Sequence, residues 1–137
     1  MRRSFYLFLF LYFFSTNGYA QNFNHKKTEI LKTYDQIEID DKEAVSADEI
    51  KKLYDESRKI SFVEGEIRGL TLLQKVALMN GDYILSGKYS DHAEVLAKEQ
   101  DDYNSLSAIY LYRGKIHIIL DKSVEAKADL QKALDFA

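Results

Sequence analysis

The sequence predicts an all-α fold, a stack of about three antiparallel helical hairpins, and three observations predict it. The 137-residue chain is 46% apolar and 13% aromatic, with no proline, no cysteine and six glycines. That composition can fill one modest core, and it lacks the turn residues of a β-sandwich and the thiols of a disulfide or zinc framework. Second, sliding the chain by 40 residues aligns small side chains: Ser46, Ser86 and Ala126 in one column, Leu53, Ala93 and Ala133 in the next, Ser57, Ala97 and Ala137 in a third. The columns are separated by seven and then four residues, offsets that return to nearly the same angle on a helix, so they form one stripe along which a neighbouring helix can approach closely. Third, the segments preceding these stripes, "GLTLLQKVALM" and "LSAIYLYRGKIHIIL", are apolar almost all round, as expected of inner helices buried on several sides.

The elements follow in order. Residues 1–20 read as a secretory signal: Arg2 and Arg3, an apolar run from Phe5 to Phe14, then polar residues ending in "NGYA", with Gly18 and Ala20 at the small-residue positions of a cleavage site. The run is about half the roughly 20 residues that a membrane-spanning helix needs. The chain is therefore expected to be secreted or periplasmic after cleavage, and membrane-anchored only if the segment is retained. Without a cysteine a lipid-anchored lipoprotein is excluded. Six helices are expected after it, over residues 27–39, 42–59, 64–79, 83–99, 103–120 and 122–137, grouped in units 27–60, 64–100 and 103–137 of a domain covering 21–137. Ile30, Leu70 and Tyr110 share a column on the inner helices, as do Ile39, Met79 and Ile119. At the junctions, Gly81 suits a left-handed helix exit, and Asp82, Asp102 and Asp121 suit helix N-caps.

Removing residues 1–20, which carry two arginines and no acid, leaves 17 basic against 22 acidic side chains. This mild acidity, with no clustered Lys/Arg patch, argues against nucleic-acid binding. Catalysis is also poorly supported. His25, His92 and His117 have no metal-ligand spacing, and His117 reads as a core or groove histidine bonded to a neighbour. Asp91 and His92 point about 100° apart on a helix. The pairs Asp40–Asp41 and Asp101–Asp102 fall at junctions, where capping accounts for them. No phosphate-binding loop or nucleophile elbow is present, so no catalytic residue, metal or cofactor is expected.

The stretch "GDYILSGKYSDHAEVLA" resembles the second helix of a tetratricopeptide repeat (TPR). Gly81, Asp82 and Tyr83 open it, Ser86 is its first small residue and Ala93 its second; in the last unit Gly114, Ala126 and Ala133 fall at the family's small positions. The period departs from the family's 34 residues by about six, and no unit ends in proline. The match covers residues 27–137 and most resembles the longer, divergent repeats outside the cytoplasm in bacterial regulators of the histidine-kinase or helix-turn-helix type. The resemblance implies a right-handed superhelix, a TPR-like α-solenoid, whose first helices line a groove for a protein or peptide segment. Carried over residue by residue, that groove comprises Arg68, Thr71, Lys75, Met79, Lys115, Ile118 and Ile119. Lys75 and Lys115 share a column and suit a carboxylate.

The last helix ends in "ALDFA" with no glycine cap and a stripe suited to covering a further unit, so the chain is expected to be the N-terminal part of a longer protein. The alternative expectation is a structural or assembly protein that self-associates through this uncapped repeat.

Overall fold

The structure, a computed structural model, describes the backbone of residues 2–39 and 46–137 and the side chains of residues 19–38 and 46–137. Six helices follow one another: α1 (Arg2–Ile39), α2 (Ala47–Lys59), α3 (Val63–Met79), α4 (Tyr83–Glu99), α5 (Tyr103–Ile119) and α6 (Ser123–Phe136), with no strand among the described residues. Consecutive helices pack on one another, and α3 also touches α1 and α5. This places α1, α3 and α5 in one layer and α2, α4 and α6 in the other, the arrangement of an all-α repeat solenoid.

The turns explain the repeat. Ser61, Gly81, Asp101 and Asp121 take left-handed backbone conformations, with φ of 51°, 75°, 53° and 55°, at a constant spacing of 20 residues. Each turn closes with the same pair of bonds. The N–H groups of Phe62, Asp82, Asp102 and Lys122 donate to the carbonyls of Ser57, Ala77, Ala97 and His117 at 2.8–2.9 Å, while the preceding N–H reaches back three residues. This is the Schellman motif, and its last residue also starts the next helix. Links of three residues therefore join helices that are each 17 residues long in α3, α4 and α5. Two 17-residue helices and two three-residue links make up the 40-residue period.

Several expectations are corrected here. Asp82 and Asp102 do cap, accepting from the N–H groups of Leu85 and Ser105. Asp121 does not, because it occupies the left-handed position equivalent to Gly81; Lys122 stands at the N-cap of α6 without a side-chain bond. The first helix is one continuous rod from Arg2 to Ile39 where a start near 27 was expected. Helix α2 begins at Ala47, five residues later than expected, because Ser46 caps it by accepting from the Asp48 N–H. Asp40, Asp41 and residues 42–45 lie outside the described residues, as do the side chains of the apolar run 5–14 and of Ile39. No helix among the described residues is long and apolar enough to cross a membrane.

The small-residue stripe is buried where helices meet. Ser57, Ser86, Ala93 and Ala97 are fully covered, and Ala126 and Ala133 nearly so. Leu53 is half-buried, whereas Ser46, used as a cap, and Ala137, beyond the end of α6, are exposed. Small polar side chains also bond across helix contacts: Ser86 Oγ of the stripe donates to the Gln74 carbonyl at 2.9 Å, and Ser107 Oγ of α5 to the carbonyl of the stripe residue Ala133 at 2.7 Å. Buried Gln74 sends its Nε2 to the Ile109 carbonyl, tying α3 to α5. On α3, Gly69 lets α2 come close; a Cβ there would stand 3.0 Å from Tyr54 Cβ and 2.6 Å from Tyr34 Oη.

Two apolar clusters share α3. One gathers Ile30, Tyr34, Ile50, Phe62, Leu72 and Leu73; the other gathers Ile67, Leu70, Ala93, Ala97, Leu106, Ile109, Tyr110 and Ala133. Tyr89 packs against both, so the core runs on from one hairpin to the next. The inner column Ile30, Leu70 and Tyr110 lies wholly within it.

Candidate functional site

The inner helices leave a hollow of about 360 Å³ lined by Glu38 of α1, Glu64, Arg68 and Thr71 of α3, and Asp102, Asn104, Ser105 and Ala108 at the start of α5. Its residues come from all three inner helices, because a 40-residue repeat brings successive inner helices side by side. The lining carries three carboxylates and one guanidinium. Arg68 is not a free cation: its Nη2 contacts Asp35 Oδ1 and lies 2.7 Å from Glu38 Oε2, and its Nε donates to Glu38 Oε1 at 3.3 Å. The bond to Glu38 first, and that to Asp35, raise its pKa against the burial that opposes them. Arg68 thus positions α1 against α3 while presenting one edge to the hollow.

The residues expected in the groove are distributed over three places. Arg68 and Thr71 line the inner hollow, with the Thr71 hydroxyl donating to the Ile67 carbonyl of its own helix. Further along, Lys75 is half-buried, and Lys115 is exposed with its Nζ 5.6 Å from the Tyr112 ring centroid. Met79, Ile118 and Ile119 stand at the C-terminal ends of α3 and α5, where they are 69%, 59% and 54% exposed. The inner helices, expected to be buried on several sides, are uncovered in their last turn: the turns at residues 80–82 and 120–122 leave their flanking apolar side chains exposed. Ile118 also borders a separate hollow of about 470 Å³, formed with α6 and lined by Asp121, Ser123, Ala126, Lys127, Leu130, Gln131 and Leu134.

Between the second and third hairpins lies a polar clasp. Glu94 of α4 accepts from the Tyr110 hydroxyl at 2.5 Å and from Lys98 and Arg113, each at 2.6 Å; Arg113 also reaches Ser90 Oγ at 2.7 Å. Burial pushes the Glu94 carboxyl up, but the bonds from Lys98, Tyr110 and Arg113 outweigh it and hold the pKa at about 2. Burial, and then Glu94, push the Tyr110 phenol up. The arrangement ties α4 to α5 through a carboxylate held as an ion.

His117 Nδ1 lies 3.0 Å from Asp129 Oδ2 on α6, so a carboxylate is the neighbour that stands beside it. Among the described residues no serine or threonine hydroxyl bonds to this pair, so the pattern of a base beside a nucleophile is not present there. Among the described residues, no group of three or more His, Asp or Glu side chains is placed to hold a metal ion.

Sequence reasoning missed Glu38, Glu64, Asn104 and Ser105 in the inner hollow and assigned Asp102 to capping alone. Only the 40-residue offset, which places Glu64 beside Asn104 in one column, could have indicated part of that lining. No family model, curated protein or solved structure matches the chain.

Proposed function

We propose that this chain is a non-catalytic helical-repeat module that holds a protein or peptide segment along its inner helices, outside the cytoplasm, as the interaction or sensory region of a signalling or transcriptional regulator. The observation that carries this reading is the hollow spanning α1, α3 and α5, which presents carboxylates, a guanidinium edge and amide and hydroxyl groups to solvent. A bound segment needs such a wall of spaced polar groups on a rigid scaffold. The N-terminal signal-like segment supports the location, and the resemblance to tetratricopeptide repeats supports the mode of capture.

Selection of a displayed random-peptide library on the folded chain tests it. Selected peptides should lose binding to the Lys75→Glu/Lys115→Glu double variant and to Asn104→Trp, and keep it with Lys88→Glu on the exposed side of α4. Peptides that bind all these variants equally would overturn the groove reading.

A further inference from the structure

The inner hollow is short of positive charge, and the shortage says what can fill it. Three carboxylates line it, those of Glu38, Glu64 and Asp102, against the single guanidinium of Arg68. That guanidinium is already engaged, because its Nε and Nη2 donate to Glu38 and to a fourth carboxylate, Asp35 of α1. Glu64 and Asp102 have no cation beside them among the described residues. Glu64 is exposed, and Asp102 gives only its Oδ1 to the N–H of Ser105 in capping α5.

The placement of these groups selects among cations. No three acidic side chains among the described residues are placed to share one metal ion. Separate carboxylates on α3 and α5 suit an ammonium or a guanidinium, whose several N–H donors can reach more than one acceptor. The volume of about 360 Å³ is at the small end for a ligand pocket and admits one long side chain. Ala108 offers apolar wall to the stem of such a side chain, and exposed Leu111, three residues on, offers more to its neighbour. Lys115 follows Asn104 by eleven residues, which puts it on the same face of α5 and about 16 Å further along. One segment lying along α5 can therefore set a basic side chain in the hollow and a carboxylate at Lys115.

Given the groove reading above, we propose that the inner hollow takes a lysine or arginine side chain of the bound peptide segment. Displayed peptides selected on the folded chain, and sorted for loss of binding to Asn104→Trp, should share a lysine or arginine at one fixed position. Changing that residue to glutamine in a synthetic peptide should weaken binding at least about tenfold in fluorescence anisotropy. Glu64→Gln/Asp102→Asn should weaken the parent peptide by a similar factor and leave the helicity unchanged, because Glu64 is exposed and asparagine caps a helix as aspartate does. Made together, the peptide and protein changes should cost little more than either alone, as expected of groups in contact. Glu125→Gln removes the same charge from an exposed site on α6 and should leave binding as it was. Groove-bound peptides with no shared basic residue, full affinity for Glu64→Gln/Asp102→Asn, losses that simply add, or an equal loss with Glu125→Gln would each overturn this inference and leave the groove reading standing. Peptides indifferent to Asn104→Trp would overturn both.

Discussion

Gly69 offers a test in which the sign of the effect decides. Replacing it by alanine in the middle of α3 would by itself favour the helix by about 1 kcal/mol, because glycine loses the most backbone freedom on folding. Against this, the added methyl would stand 2.6 Å from Tyr34 Oη and 3.0 Å from Tyr54 Cβ, with the Tyr54 Cα at 3.4 Å. Tyr34 is fully buried and cannot swing into solvent, and Tyr54 is held by the backbone of α2. Overpacking of this kind costs about 1–3 kcal/mol, so Gly69→Ala should destabilise the chain by about 1 kcal/mol net. Gly87, inside α4, is the control, since a methyl there meets nothing within 4 Å. Gly87→Ala should stabilise by roughly 0.5–1 kcal/mol. Urea unfolding followed by far-UV circular dichroism reads both. If Gly69→Ala stabilises the protein as Gly87→Ala does, α2 does not approach α3 closely and the small-residue account of the packing is wrong.

Other expectations concern the turns and the clasp. The folded-state pKa of Glu94, about 2, lies below the value of about 4.5 that it has when unfolded; its stabilisation is therefore complete above about pH 4.5 and is lost as pH falls towards 2. The difference is worth about 3 kcal/mol, so acid unfolding of Glu94→Gln should depend less steeply on pH between 4.5 and 2 than that of the parent chain. Ser61 holds a φ of 51°, and Ser61→Gly should raise stability by about 1 kcal/mol in the same urea titration by relieving left-handed strain. Arg113→Ala leaves Glu94 and Ser90 without their cation and should cost about 2 kcal/mol, seen as a lower urea midpoint with unchanged helicity.

Much of the architecture is legible in the sequence, because a period in small residues has one physical use: two helices meet where side chains are missing. Ser86, Ala93, Ala97, Ala126 and Ala133 announce those contacts, and Gly81 announces its turn. The other turns are harder to see, since Ser61 has no left-handed preference and the aspartates at 101 and 121 suit a helix N-cap as well as the left-handed region they occupy. Asp121 looks like a cap for the same reason that Asp82 is one, and only the register of the turn separates them. Charged groups are harder still. Glu94 and Arg113 lie on different helices 19 residues apart, and no local pattern pairs them. The inner hollow is legible only in part: Arg68 and Thr71 follow from the repeat, whereas Glu38 enters because Arg68 draws α1 against α3.

The central claim is that four equal left-handed turns, set 20 residues apart, fold this chain into a stack of helical pairs. Measuring backbone φ angles by solution NMR, through amide–Hα couplings and chemical shifts, tests it most directly. Positive φ at Ser61, Gly81, Asp101 and Asp121, each separating uninterrupted helical stretches, is the predicted result. Helical φ carried through any one of these four positions would merge two helices into one and contradict the account.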